Sequence, residues 1–278
     1  MNKIKLGSNL MINSNYGVFY VAAGKKYVDE ACDSAKSLKK INPSIKISLA
    51  CNQDPEDKDL FDQIIRVDEQ VTCRNEGLLF KVKHLYFLSP YEKTIFADTD
   101  TFFASDCENG FDILEYFDLA LVPAPVDTNY PILESGQKVP CKPLNTGVIL
   151  FRKNEANDRL FKEWIDIYTS KLLSNSKLRE SDQTSFAQVL LNSSSRLYPL
   201  PSEWNARFCF INAFAEPVKI LHGYSRNIEN IAYLINLNAN KHRVWIPHLK
   251  RCIVFKPYTW KHYLGNLLER LGIMNNRR

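Results

Sequence analysis

The strongest constraint on the fold is an alternation near the start of the chain. GVFYVAA (17–23) is a short apolar run of β-favouring residues, closed by Gly24 and two lysines, and reads as a buried strand. Val28, Ala31, Cys32, Ala35 and Leu38 then recur at helical steps, with lysines on the opposite face and Pro43 beyond the stop. IKISLAC (45–51) is a second buried strand, ended by the turn-forming run Asn52, Gln53, Asp54, Pro55. Strand, helix and strand in so short a span make a βαβ unit. Its parallel pairing and right-handed crossover commit the chain to an α/β fold.

The alternation continues. Residues 60–67 are read as holding a short strand, and LLFKVKHLYFL (78–88) as a helix halted by Ser89 and Pro90. KTIFA (93–97), DLALVPA (118–124) and NTGVILF (145–151) are further strands. EANDRLFKEWIDIYTSKLL (155–173) carries Leu160, Trp164, Ile167 and Leu172 near one stripe, and Ser181 is read as the cap of another helix with Phe186, Val189 and Leu190 inward. No repeat or low-complexity tract interrupts the 278 residues, which suit one elaborated domain. The expected architecture is α/β, a mostly parallel central sheet flanked by helices.

In such sheets ligands bind at the carboxyl ends of the strands. The first strand ends at Ala22, Ala23 and Gly24, the second at Asn52, and the 93–97 strand runs into Asp98, Thr99, Asp100. The 145–151 strand delivers Arg152 and Lys153. There is no GxxxxGK[ST] and no GxGxxG after the first strand, so those two phosphate motifs are excluded, and a total of only 10 glycines disfavours any glycine cradle for phosphate. A phosphorylated ligand would instead need a metal and basic side chains. Asp98 and Asp100, on either side of Thr99, can converge on one hard divalent cation, Mg²⁺ or Mn²⁺. The same two acids also suit a helix N-cap.

Charge is unevenly spread. Residues 241–278 hold nine of the 36 Lys and Arg against one of the 31 acids, leaving residues 1–240 at a net −3 although the whole chain is +5. The basic, aromatic-rich end, with Trp245, Tyr258, Trp260 and Tyr263 among its bases, reads as an extension over 227–278 that suits an anionic membrane surface, and 261–272 as an amphipathic helix within it. No nucleic-acid motif is present. The seven cysteines are scattered without a CxxC pair, which disfavours disulfides and zinc. MNKIKLGSNLMINSNYG lacks the apolar core of a secretory signal, and no apolar run approaches the roughly 20 residues of a membrane span. The expected location is cytoplasmic, with peripheral contact at the inner face of a membrane.

KVKHLYFLSPYEKTIFADTDTFF (81–103) resembles the central signature of nucleotide-sugar glycosyltransferases with the GT-A fold, those of family 8 in particular. There a lysine-bearing helix leads to a Ser-Pro-aromatic stop, a basic residue, an apolar strand and a metal-binding DxD. PLNTGVILFRKN (143–154), ESDQTSF (180–186), LPSEWNARF (200–208) and ILHGYSR (220–226) are similar to later segments in the same order. The resemblance implies a Rossmann-like GT-A domain over 1–226. It implies that Asp98 and Asp100 bind Mn²⁺ or Mg²⁺ together with the diphosphate, and that His222 is the third ligand. Lys81 would approach the donor phosphate or sugar. Asn145 and Asp182 would line the sugar pocket with Gln183 beside them, and Ala22 and Ala23 would accommodate base and ribose. The late histidine is followed here by Gly223, Tyr224, Ser225 and Arg226 instead of the family's lysine or tryptophan, and Arg226 is read as the substitute phosphate clamp.

The implied activity is metal-dependent transfer of a sugar from a nucleoside diphosphate sugar, UDP by resemblance, to a glycan or lipid-linked acceptor. Two other readings stand beside it. A haloacid-dehalogenase-like phosphohydrolase would use Asp98 as nucleophile, although Phe102 occupies the place where that pattern asks for Thr or Val. A lapsed transferase would retain only sugar-nucleotide binding.

Overall fold

The computed structural model describes residues 15–125, 136–140, 142–174, 182–255, 267, 268, 270 and 271. The chain runs β1 (Tyr16–Ala22), α1 (Lys25–Ile41), β2 (Ile47–Cys51), β3 (Gln63–Arg66), α2 (Arg74–His84), β4 (Lys93–Ala97), β5 (Thr101–Phe103) and α3 (Gly110–Tyr116). It continues through β6 (Leu119–Pro123), β7 (Leu144–Arg152), α4 (Glu155–Ser174), α5 (Asp182–Leu190), β8 (Leu197–Pro199), β9 (Asn212–Phe214), β10 (Ile220–His222), α6 (Ile228–Asn236), β11 (Arg243–Ile246) and β12 (Arg251–Val254).

Seven strands form the central sheet in the order β3-β2-β1-β4-β7-β6-β8. Every neighbouring pair is parallel except the two made by β7, which runs against both β4 and β6. The α/β, mostly parallel, helix-flanked architecture expected from the sequence is therefore present. The direction of β7 has a consequence for the site. Its carboxyl end, Arg152 and Lys153, falls at the edge of the sheet opposite the ligand edge, where Arg152 bonds Asp118 and Lys153 bonds the Ser89 carbonyl. Its amino end, Asn145 to Gly147, arrives at the ligand edge instead.

Strand pleating divides the core. Val18, Tyr20 and Ala22 of β1 face α1 and α3, whereas Phe19, Val21 and Ala23 face α2, α4 and α5. Gly24, at φ 90°, ends β1 and lets the chain turn at once into α1. α2 begins four residues before its expected start, because Glu76 accepts from both the backbone N–H and the hydroxyl of Thr72 and anchors the first turn. It ends at His84 with a turn leading to Ser89 and Pro90.

A third cluster joins Ala206, Phe214, Val218 and Leu221 to Ala232, Ile235 and Trp245. β9, β11 and β12 form an antiparallel sheet over it. A boundary at residue 226 passes through this cluster, and the described part of the basic end is sewn to the body there. Most of the 261–272 helix, and the Ser181 cap, lie outside the described residues. No helix among the described residues is long and apolar enough to cross a membrane.

Candidate active site and metal centre

The site is assembled where β4 stops. The Asp98 N–H donates to the Gly147 carbonyl at 2.7 Å, and the Thr101 hydroxyl donates back to the Asp98 carbonyl at 2.8 Å, closing a tight turn around Thr99 and Asp100. β5 then pairs antiparallel with β10, which sets His222 opposite Thr101. The result brings Asp98, Asp100 and His222 together, with one ligand atom from each within 4.8 Å of the others. His222 Nε2 lies 3.3 Å from Asp100 Oδ1 and 3.9 Å from Asp98 Oδ2.

The tautomer of His222 follows from a chain of bonds that begins at a backbone N–H. Gly147 N–H must meet an acceptor, so the Asn145 atom 2.9 Å away is its amide oxygen. That oxygen also receives Asn205 Nδ2 at 3.0 Å, which turns the Asn205 oxygen toward His222 Nδ1 at 2.8 Å. Nδ1 therefore carries a proton, and Nε2 is the nitrogen that faces the two carboxylates. Two carboxylate oxygens and an imidazole nitrogen so arranged fit a divalent cation of the Mg²⁺ or Mn²⁺ kind. Gly147 makes the packing possible, since a Cβ there would lie 2.0 Å from His222 Cε1.

Lys81 and Asp182 complete the cluster. Lys81 Nζ, brought in by α2, is 2.6 Å from Asp182 Oδ2 and 3.3 Å from Asp98 Oδ1, and the Thr146 hydroxyl donates to Asp182 at 2.8 Å. Burial opposes the charge on each group, and its contest with the partners decides the outcome. For Asp98 burial prevails over Lys81 and His222 and lifts its carboxyl above the usual range. For Asp100 burial acts upward, but His222, Arg207 and Lys81 together hold it below. For Asp182 the Lys81 charge and bond, with the Thr146 hydroxyl, overcome burial and hold it low. Burial would discharge Lys81, yet Asp182 and Asp98 keep its ammonium above its ordinary value.

Of the three cavities that meet at the Asp98–Asp100 turn, two are walled by Lys81. One of about 760 Å³ contains Asp98, Asp100, Asn145, Asp182, Gln183 and His222, with Lys81 in its wall. The other, of about 300 Å³, is bounded by Ala23, Tyr27, Glu30, Leu78, Lys81 and Thr99. Burial raises the Glu30 carboxyl, and Glu30 accepts from the Thr99 hydroxyl at 3.1 Å.

Two expected residues fall elsewhere, and a third lines a neighbouring cavity. Ala22 points the other way from Ala23 and packs in the α1 core. Asn52 is engaged in holding loops, accepting from Gly24 N–H at 2.7 Å and donating to the Glu69 carbonyl at 2.9 Å. Arg226 is exposed and borders a third cavity, of about 740 Å³ against α1, which Thr99 and Asp100 of the same turn also line. Conversely, Asn205, Thr146 and Arg207 belong to the site without having been singled out. Asn205 and Arg207 lie inside the segment LPSEWNARF, the one sequence signal that pointed near them, while its Trp204 is buried core.

No family model and no curated protein matches the chain. Solved structures do match. A crystal structure of the apo form of the glycosyltransferase GlyE of Streptococcus pneumoniae TIGR4 is similar over 93% of this chain and 64% of that one, with a TM-score of 0.54 and 14% identity. A second GlyE structure is similar over 76% and 56%, with a TM-score of 0.51 and 16% identity. The bifunctional glycosyltransferase WbbM in its apo form is similar over 79% and 47%, with a TM-score of 0.50 and 16% identity. The chain thus spans less than two thirds of the length of each of these structures. The architecture that carries the Asp98, Asp100 and His222 cluster is the GT-A glycosyltransferase fold.

Proposed function

We propose that the chain is a metal-dependent glycosyltransferase that takes a nucleoside diphosphate sugar, UDP-linked in the first instance, and passes the sugar to a glycan or lipid-linked acceptor. The observation that carries this reading is the convergence of Asp98, Asp100 and His222 at the carboxyl edge of the sheet, on the same cavity wall as the Lys81–Asp182 pair. The cavity's charge agrees with it. Asp98, Asp100 and Asp182 are balanced by Arg74, Lys81 and Arg207 around it, so a divalent cation brings two positive charges that the two negative charges of a diphosphate diester match.

Asp98, Asp100 and His222 would hold Mn²⁺ or Mg²⁺, which acts when bound as a Lewis acid for the charge on the departing diphosphate. Lys81 joins the two halves of the site by holding the carboxylates of Asp98 and Asp182 at once. Asp182 is thereby kept ionised and turned toward the cavity, where it can accept hydrogen bonds from sugar hydroxyls and face positive charge developing at the anomeric carbon. Gln183 borders the same space. Ala23, too small to obstruct, and Tyr27 bound the smaller cavity and leave room for a nucleoside.

A panel of UDP- and GDP-sugars with Mn²⁺, read by released nucleoside diphosphate, tests this directly. One or more donors are expected to turn over, and Asp98→Ala with Asp100→Ala to reduce the rate by about 10³-fold or more, the scale of losing a charge-stabilising centre. Release of phosphate from a phosphomonoester with Mg²⁺ and no nucleotide sugar would put the Asp98-nucleophile reading in its place.

A further inference from the structure

We infer that Arg207 is the cation that receives the diphosphate at this site, and that it makes metal and diphosphate binding depend on each other; this rests on the nucleotide-sugar reading above. The basic residues near the turn differ in what they already hold. Lys81 is saturated by two carboxylates, the exposed Arg226 stands in the 740 Å³ cavity on the α1 side of Asp100, and Arg74, in the wall of the 760 Å³ cavity, is exposed as well. Arg207 reaches into the 760 Å³ cavity beside Asp100 and His222. Its Nη1 is 3.5 Å from His222 Nε2, and among the described residues its solvent-shielded Nε meets no acceptor. The backbone beneath it is fixed, because its carbonyl accepts from Asn212 Nδ2 and from the Phe210 N–H, both at 2.9 Å.

Arg207 and a divalent cation therefore compete for one lone pair. With Nδ1 protonated toward Asn205, Nε2 can accept an N–H from Arg207 or ligate a cation, but not both. The guanidinium also carries a positive charge to within reach of the carboxylates that would hold the cation, and like charges repel strongly in so buried a place. Arg207 thus opposes a bare cation. A diphosphate reverses the sign, since its oxygens offer the planar fork two acceptors. By linkage, the factor by which the cation raises diphosphate affinity equals the factor by which diphosphate raises cation affinity, and Arg207 enlarges both alike.

The test uses the full chain and two probes, Mn²⁺ followed by electron paramagnetic resonance and UDP or inorganic pyrophosphate followed by calorimetry. Arg207→Gln is expected to bind Mn²⁺ alone at least threefold more tightly than the parent. The same variant, saturated with Mn²⁺, should bind UDP and pyrophosphate at least tenfold more weakly. Arg207→Lys, which keeps the charge and loses the fork, should bind Mn²⁺ alone like the parent and UDP with intermediate affinity, and it stands in if the Gln variant fails to fold. Unchanged or weaker Mn²⁺ binding by the Gln variant overturns the interdependence, and diphosphate affinity within twofold of the parent overturns the assignment of Arg207. If the parent binds neither Mn²⁺ nor any nucleoside diphosphate, the glycosyltransferase reading itself falls.

Discussion

At the scale of single residues, the site depends on what Gly147 lacks. The His222 ring lies where a side chain at 147 would begin, with Cε1 2.0 Å, Nδ1 2.6 Å and Nε2 2.8 Å from an added Cβ. A ring enclosed by Gly147, the Asn205 bond and β10 has no free direction in which to yield. Gly147→Ala is therefore expected to cost about 1–3 kcal/mol of stability, as overpacking does. It should weaken Mn²⁺ binding by about 10- to 100-fold, the usual price of disturbing a ligand's orientation. Urea denaturation and a Mn²⁺ titration measure the two effects. Stability and metal affinity both equal to the parent's would mean that the ring is not fixed as described. The pair Asp98 and Asp100 was legible in the sequence because two acids directly after an apolar strand have few other uses. Asn205 was not, because its role is to pass a hydrogen bond from Asn145 to His222, and that chain exists only once three segments have met. Arg207 was hidden for the same reason, whereas Arg226 is conspicuous because it follows His222 in sequence.

Between elements, a single carboxylate at the edge of the sheet opposite the site holds four segments in register. Asp118, just before β6, accepts from Arg152 Nε and Nη2 at the end of β7, from Asn154 Nδ2 before α4, and from the backbone and side chain of Arg196 before β8. Burial acts to raise its carboxyl, but the Arg196 and Arg152 bonds prevail and bring it down to about 2. A folded value below the unfolded value of about 3.9 means that the contribution is complete above pH 4 and is lost as pH falls toward 2. Asp118→Asn is expected to lower the melting temperature by roughly 5 °C at neutral pH. The difference between variant and parent should shrink on acidification from about pH 4 to pH 2, as the parent's carboxylate is protonated. A difference that persists undiminished at pH 2 would assign the loss to packing instead of charge. The elements themselves were readable to different degrees. Long apolar or periodic runs announce β1, α1, β2, β4, β7 and α4. The direction of β7 is written nowhere in its residues, since an apolar run looks the same read either way, and only pairing with β4 and β6 decides it. β5, β9 and β10 are three residues each, too short to show a period, yet β5 and β10 carry the approach of His222 to the acidic turn.

For the whole molecule, the question is whether the catalytic body is complete at residue 226. The resemblance sets a boundary there, and the basic end, residues 241–278, lies beyond it. Packing couples the two sides. Trp245, 1% exposed, donates to the Phe208 carbonyl at 2.7 Å, and β11 pairs with β9 from Trp245–Asn212 to Arg243–Phe214. Arg243, equally buried, donates to the carbonyls of Ile235, Ala239 and Glu216, so it fastens α6 and the preceding loop to β11. These contacts bear on residues 205–214, the segment that presents Asn205 to His222 and Arg207 to the cavity, and Asn212 itself holds the Arg207 carbonyl. A chain ending at Arg226 would leave Phe214, Val218 and Leu221 without the partners that cover them. Burying one large apolar side chain is worth roughly 1.5–3 kcal/mol. Losing Trp245, Ile235 and their neighbours together should lower the melting temperature by more than about 10 °C. Because the loss falls beneath Asn205 and Arg207, Mn²⁺ affinity should drop with it, by at least about tenfold. Calorimetric melting and a Mn²⁺ titration of the shortened and full chains decide the matter. A shortened chain that melts within a few degrees of the full one and keeps its Mn²⁺ affinity would show that the basic end is an appendage; loss of both would make residues 227–255 part of the machinery that holds the site.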